Sequence, residues 1–198
     1  MLVLATVVVC LAVACVVYGW FEAGWLRTRV LDVEIEGLAV GLDGLRIAHL
    51  SDFHLGARLS RGNRASVKAA AWVVERCPDV VCITGDLVSH PRGESRLQGM
   101  IRTLDRPFVV LGNHDVAVTR DPFSRAAELH DLEHARLLSD EQVMLERDGE
   151  HVLVAGVDPV SYRAGRARPD RLVDADAAFR LLLCHFPGIV DRMPPVSG

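Results

Sequence analysis

Strands and helices alternate through the middle of the chain, and this alternation restricts the possible folds more than any other feature of the sequence. Three short apolar runs have the length and composition of buried strands: LRIAHL (45–50), VVCIT (80–84) and FVVL (108–111). Residues 62–77 and 94–105, which lie between them, place apolar side chains at helical spacing. A strand joined to the next one through a helix runs parallel to it. The sequence therefore predicts an α/β fold built on a parallel sheet.

The remainder of the chain predicts additional strands and one more helix. A third helix is predicted over residues 122–138. Residues 141–158 then read as two strands joined at Asp148-Gly149, a dipeptide typical of tight hairpin turns. Residues 179–183 (FRLLL) predict a further buried strand.

The first 21 residues contain no charged side chain, and as a helix they are long enough to cross a hydrocarbon core of about 30 Å. Aromatic residues, which favour the membrane interface, stand at the end of this segment: Trp20, Phe21 and Trp25. We expect a transmembrane anchor over residues 1–25, followed by one domain over residues 26–198. At the start of that domain, VLDVEIEGL (30–38) alternates apolar and polar residues, which predicts an exposed or edge strand.

A cleaved signal peptide is the alternative interpretation of the N-terminal segment. AVAC (12–15) resembles a cleavage or lipid-attachment site, but no Lys or Arg precedes the apolar run, and the run continues past Cys15. An uncleaved, single-pass anchor is therefore favoured. Arg27 and Arg29 flank its C-terminal side, and the positive-inside rule then places the domain in the cytoplasm.

Composition argues against a nucleic-acid-binding protein and against a domain held together by disulfides. The net charge of −4 gives no bulk attraction to nucleic acid, and no nucleic-acid-binding surface is evident. The five cysteines form no disulfide framework, so we expect them to be reduced and mostly buried.

Polar residues follow the predicted strands at the point where each strand ends. They are Asp52, His54, Asp86, Asn113, His114, Asp115 and His185. In an open α/β sheet, ligands bind beyond the carboxyl ends of the strands, so these residues should converge. Asp52 and His54 are two positions apart, and an extended backbone would point both side chains the same way. The mixture of oxygen and nitrogen donors favours Mn, Fe or Zn, and a pair of such ions activates water and binds phosphoryl oxygens.

The blocks D-x-H, G-D and G-N-H-D, in this order and followed by a His that closes a later strand, resemble those of the calcineurin-like metallophosphoesterases. LRIAHLSDFHLG, VVCITGDLV and VVLGNHD behind an apolar N-terminus resemble the bacterial membrane-associated branch of that family. The resemblance covers roughly residues 45–187. It implies a four-layer αββα sandwich after the transmembrane helix, and an enzyme that hydrolyses phosphoesters with two divalent metal ions.

The resemblance also implies a role for each residue at the strand ends. Asp52 and His54 would bind the first ion, Asp86 would bridge both ions, and Asn113 and His185 would bind the second. His114 would contact the substrate phosphate and protonate the leaving oxygen, with Asp115 orienting it. A hydroxide held between the ions would attack phosphorus in line.

One block of the family is absent from the 198 residues. The family has a G-H-x-H block after the strand that ends at the equivalent of His185, and it supplies one imidazole to each ion; this sequence contains no such block. We therefore expect a sandwich that is incomplete at its C-terminus. Two functions stay open at this point: a membrane-anchored phosphodiesterase acting on a lipid-linked or nucleotide-derived substrate, and a non-catalytic, membrane-tethered remnant with partial metal sites.

Other histidines receive structural interpretations. His49 lies inside the first apolar run, which predicts a core residue or one that supports the ligands from behind. His130 and His134 lie four apart on the predicted third helix, and they are interpreted as part of its solvated face.

Overall fold

In the computed structural model, which describes residues 1–57, 61–116, 129, 132–173 and 176–193, four parallel strands form the first sheet of the domain. The strands lie in the order β1-β2-β3-β4, with bounds Ile47–Leu50, Val80–Thr84, Phe108–Val110 and Arg136–Leu137. Helix α2 (Gly62–Glu75) connects β1 to β2, and helix α3 (Glu94–Leu104) connects β2 to β3. The predicted parallel α/β arrangement is confirmed.

Both connecting helices cover the same face of this sheet. On α3, the buried side chains Leu97, Met100, Ile101 and Leu104 recur at the spacing of one helix face. They meet Ile83 and Val109, which point to that side of β2 and β3. Trp72 on α2 packs against the same core. The apolar face of each helix is thus what fixes its position on the sheet.

A second sheet packs against the opposite face of the first. It contains β5 (Glu141–Arg147), β6 (Glu150–Gly156) and β7 (Phe179–Leu183), with β6 antiparallel to β5 and parallel to β7. The predicted hairpin is confirmed, and its turn residues Asp148 and Gly149 both have positive φ, at 50° and 83°. Two adjacent positive φ values are the signature of the turn type that matches the twist of paired strands.

Alternate side chains along the strands point to opposite faces of each sheet and so pack into different cores. Val80, Cys82 and Val110 of the first sheet pack against Val154 and Leu183 of the second, and these side chains fill the space between the sheets. On the outer side of the second sheet, Leu182 packs in one cluster with residues of three short elements. These are Tyr162 of helix α4 (Pro159–Arg163), Leu172 of helix α5 (Pro169–Leu172) and Ile189 of the 3₁₀ turn Pro187–Arg192. The layers therefore follow the order helix, sheet, sheet, helix.

Helix α1 (Leu2–Glu22) lies outside this domain, and none of its residues is buried. Its length and composition would allow it to cross a membrane. Its C-terminal end touches the start of α2, because the guanidinium of Arg61 lies 4.9 Å from the ring centre of Trp20 and 4.8 Å from that of Phe21.

One predicted element is wrong, and a second is wrong over its C-terminal residues. Residues 30–38 form no strand, and Val30, Leu31 and Val33 are exposed. No strand within the described ranges lies beside this segment, and an extended segment without a hydrogen-bonded neighbour is not a stable strand. Of the predicted third helix, residues 122–128, 130 and 131 lie outside the described residues, while 132–138 form a turn and β4. Pairing with β3, including the 2.8 Å bond from the Leu138 N–H to the Val109 carbonyl, overrides the helical pattern there.

Candidate metal centre

Asp52 and His54 follow β1 on a loop that continues to bond alongside the loop after β2. The N–H groups of Asp52 and His54 donate to the carbonyls of Gly85 and Asp86, at 3.0 and 2.9 Å. Asp52 and His54 both have positive φ, at 55° and 44°, so the backbone here is left-handed and not extended as predicted. The two side chains still converge, with Asp52 Oδ1 3.8 Å from His54 Nε2.

Asp86 lies at the centre of the site, and its two carboxylate oxygens face different histidines. Oδ2 is 3.6 Å from His54 Nε2 and 3.9 Å from His114 Nε2. Oδ1 is 3.6 Å from His185 Nε2 and accepts a 3.1 Å hydrogen bond from the His114 N–H. The residue is 4% exposed. One nearly buried carboxylate thus lies between two groups of potential metal ligands.

Glycines allow the strand ends to approach this carboxylate closely. Gly85 has φ of 77°, and a Cβ at this position would lie 2.5 Å from His185 Nδ1 and 2.7 Å from Gly112 Cα. A Cβ on Gly112 would collide with the carboxylate and backbone nitrogen of Asp86. Any larger residue at either position would therefore displace the candidate ligands themselves.

His185 is held in an orientation suited to metal binding. Its Nδ1 lies 3.2 Å from the carbonyl oxygen of Thr84. A carbonyl only accepts, so Nδ1 carries the proton and Nε2 presents its lone pair. That lone pair faces Asn113 Oδ1 at 2.9 Å and Asp86 Oδ1. Three electron-rich atoms directed at one point repel each other unless a cation lies between them.

His54 has a similar support. Its Nδ1 lies 2.9 Å from the hydroxyl of Ser89, which leaves Nε2 directed at Asp52 and Asp86. Sequence reasoning did not single out Ser89 or Thr84, although both lie within three residues of Asp86. A polar residue that close to a ligand block, at the end of an apolar strand or just after it, is the signal that would have found them.

The donor set fits divalent ions. Asp52, His54 and Asp86 each offer a ligand atom within 4.8 Å of the other two. Two donors bound to one ion at about 2.1 Å lie at most about 4.2 Å apart, and the distances of 3.6 and 3.8 Å meet this condition. In a second group, His185 Nε2 lies 3.6 Å from Asp86 Oδ1 and 2.9 Å from Asn113 Oδ1, and both distances meet the same condition.

His114 borders both groups without joining either. Its ring packs edge-on against that of His54, with centroids 5.1 Å apart. Its side chain is partly exposed, so it can reach a molecule bound in front of the carboxylates.

Asp115 is 2% exposed, and backbone N–H groups surround its carboxylate. Oδ1 accepts from Leu87 at 2.9 Å and Val88 at 3.1 Å, and Oδ2 accepts from Gly112 at 2.9 Å. Burial raises the pKa of this carboxyl and the charge of Asp86 adds to the rise, while the three backbone donors oppose it. Asp115 therefore joins the loops after β2 and β3. Its predicted role in orienting His114 stays a prediction.

Histidines outside this group have other surroundings. His49 is exposed on β1, so the prediction of a core position is wrong, but its Nε2 lies 2.7 Å from the Thr84 hydroxyl. It therefore lies behind the residue whose carbonyl holds His185. His134 is exposed, and His130 lies outside the described residues.

Comparison with known proteins gives consistent matches. The sequence model of the calcineurin-like phosphoesterase family matches residues 45–180. A transmembrane protein with metallophosphoesterase domain from Danio rerio is 31% identical over 192 residues, which cover 86% of this chain and 42% of that protein. The uncharacterized metallophosphoesterase YkoQ from Bacillus subtilis is 26% identical over 160 residues, 77% of this chain and 57% of that protein.

A third relative carries a named substrate. The UDP-2,3-diacylglucosamine pyrophosphatase LpxG from Chlamydia muridarum is 34% identical over 107 residues, 50% of this chain and 32% of that protein. The chain thus matches between about a third and just over half of the length of these relatives.

Proposed function

The chain belongs to the calcineurin-like phosphoesterase family, and on this basis we propose that it is a membrane-anchored enzyme that hydrolyses phosphodiesters with two divalent metal ions. The observation that carries the proposal is the position of Asp86. Its Oδ2 faces the group containing Asp52 and His54, and its Oδ1 faces the group containing His185. A carboxylate with one oxygen toward each group is suited to bridge two ions.

Each ion would have its own donors beside the shared carboxylate. Asp52 and His54 would hold the first ion, and Asn113 and His185 would hold the second. Imidazole, carboxylate and amide donors favour Mn, Fe or Zn. When bound, such a pair supplies an activated water as nucleophile and neutralises charge on the phosphoryl oxygens.

His114 would donate the proton that the leaving oxygen requires. Its side chain is accessible from the front of the site, while its backbone N–H is fixed by Asp86 Oδ1. The anchoring of Asp115 to the β2 and β3 loops would keep His114 at a constant distance from the metal ligands.

We propose a lipid-linked substrate, with a nucleotide-derived phosphodiester as the alternative. Two observations support this choice: the chlamydial relative is named for a nucleotide-linked acylated sugar, and α1 is able to cross a membrane. Arg27 and Arg29 follow α1, and the positive-inside rule would then place the domain on the cytoplasmic side.

Hydrolysis and metal content of the full chain in mild detergent test the proposal. We expect release of p-nitrophenol from bis-p-nitrophenyl phosphate, loss of this activity with chelator, and recovery with Mn²⁺. Asp86→Asn should reduce bound metal from two ions to fewer than one, because both sites share this carboxylate. Asp43→Asn, an exposed site, is the matched control and should keep both ions. Two bound ions without hydrolysis of any phosphodiester would favour the non-catalytic module instead.

The role of His114 has a separate test. His114→Gln should keep both ions and lower kcat by about 10²–10⁴ for a substrate with an alcohol leaving group. The loss should be much smaller with p-nitrophenol, which leaves without a proton. Equal losses for both leaving groups would contradict the proton-donor role.

A further inference from the structure

A basic surface lies at the start of α2. Arg61, Arg64 and Lys68 are three and four positions apart, a spacing that places them on one side of the helix. Arg64 and Lys68 are exposed, and exposed Val67 lies beside them. We call Arg61, Arg64 and Lys68 the basic face.

The basic face begins where the apolar helix α1 ends. Arg61 stacks on Trp20 and Phe21, in the last turn of α1. The contact is close, since a Cβ on Gly24 would lie 2.8 Å from Arg61 Cβ. Aromatic rings at the end of a spanning helix lie at the level of the lipid headgroups. The contact with Arg61 therefore brings the basic face to the same level.

The protein itself gives these charges little compensation. The first turn of α2 contains no acidic residue, and cations there oppose the helix dipole. Within the described ranges, neither Arg64 nor Lys68 has an ion-pair partner, whereas Arg147 pairs with Asp79 at 3.0 Å. Anionic lipid headgroups would supply the missing negative charge.

We infer that the basic face docks on the headgroups of an anionic membrane and so holds the metal centre at the membrane surface. Helix α2, which carries the basic face, is joined directly to the metal-centre loop. The Gly56 N–H donates to Asn63 Oδ1 of α2 at 3.1 Å, and Gly56 follows the proposed ligand His54 by two residues. The inference rests on the membrane anchor of the proposed function, and it adds that the phosphoester is presented to the ions from the bilayer surface.

The sequence offers a specific probe, because Lys68 is the one lysine in the chain. The full chain is reconstituted into vesicles of phosphatidylcholine, with or without phosphatidylglycerol, and Lys68 is acetylated with a membrane-impermeant reagent and quantified by mass spectrometry. Each basic side chain at an anionic surface contributes about fivefold to association. We expect labelling of Lys68 to slow at least fivefold in phosphatidylglycerol vesicles and to recover in about 1 M salt.

Variants separate docking from simple proximity to the anchor. Arg64→Gln should reduce the protection of Lys68 about fivefold, while Arg102→Gln, an exposed site on α3, should leave it unchanged. Equal labelling in both vesicle types, or protection that Arg64→Gln does not alter, would overturn the inference. Flotation with phosphatidylcholine vesicles reports the anchor alone, and no readout depends on hydrolysis. Failure of docking is thereby distinguishable from failure of the anchor or of catalysis.

Discussion

Asp115→Asn tests how the ends of β2 and β3 are held together. In the wild-type chain both carboxylate oxygens accept buried backbone hydrogen bonds, from Leu87 and Val88 on one side and Gly112 on the other. Asparagine keeps one acceptor oxygen and replaces the other with an NH₂ group, which cannot accept. The best rotamer keeps the two bonds to Leu87 and Val88 and leaves the Gly112 N–H without its acceptor.

The expected loss of stability follows from these contacts. A buried N–H without an acceptor costs about 1–3 kcal/mol, and the two remaining bonds each lose about 1 kcal/mol when their acceptor becomes neutral. Removing a buried charge offsets part of this loss of stability, since burial raises the pKa of Asp115 and so disfavours its ionised form. We expect a net decrease of about 2–4 kcal/mol in the free energy of unfolding, a large fraction of the stability of an ordinary domain.

Urea unfolding of the full chain in detergent, followed by tryptophan fluorescence, measures this change, because Trp72 of α2 is partly buried against the core of the domain. With a slope of about 2–3 kcal/mol per molar urea, the midpoint should fall by about 1–2 M. Asp43→Asn is the control and should shift it negligibly, since exposed substitutions change stability by less than about 0.5 kcal/mol. If Asp115→Asn unfolds at the same urea concentration as Asp43→Asn, this carboxylate does not hold the loops. If turnover alone falls, its role is confined to catalysis.

Perturbations at two other sites, Gly85 and Cys82, give equally direct outcomes. Gly85→Ala should displace His185, whose Nδ1 would lie 2.5 Å from the new Cβ, and bound Mn²⁺ should fall from two ions to about one. Gly99→Ala is the control, because a Cβ there meets open space, and this variant should bind both Mn²⁺ ions. Equal metal content in the two variants would contradict the steric argument. Burial raises the pKa of the Cys82 thiol from 9.0 to about 12, so iodoacetamide should alkylate exposed Cys77 and spare Cys82 until urea unfolds the chain. The pKa of this thiol is higher in the folded chain than in the unfolded chain, so the stability that Cys82 contributes is complete below pH 9 and declines toward pH 12. When the pH is raised from neutral to about 10.5, the free energy of unfolding should therefore fall less in Cys82→Ala than in the wild type.

The parallel sheet and the meeting of the strand ends could be predicted because they follow from the order of strands and helices along the chain. Once β1, β2 and β3 are recognised and joined by helices, their carboxyl ends must lie at one edge, and Asp52, Asp86 and Asn113 come with them. His185, which follows β7 of the facing sheet, also lies at this edge, 3.6 Å from Asp86, but this depends on how the two sheets pack.

Features that depend on contacts between distant segments could not be predicted in this way. The segment 30–38 has a strand pattern, but a pattern does not show whether a partner strand is beside it. Residues 136–137 have a helical pattern but pair with β3 instead. A local sequence pattern does not contain the energy of this pairing, so it could not predict the strand. Thr84 and Ser89 lie 101 and 35 positions away in sequence from the histidines that they support, and only folding brings such groups together.

The left-handed backbone at Asp52, His54 and Asp86 has a consequence for how long the protein persists in a cell before it is degraded. Residues other than glycine pay about 1–2 kcal/mol to adopt this conformation, although aspartate tolerates it better than most. If a cation binds these side chains as proposed, their attraction to it offsets that cost, and part of the binding energy holds the two loops in this conformation. A cell short of the cation would therefore hold a chain whose loops open more often, and proteases would remove it sooner. Abundance of the protein would then follow the metal supply.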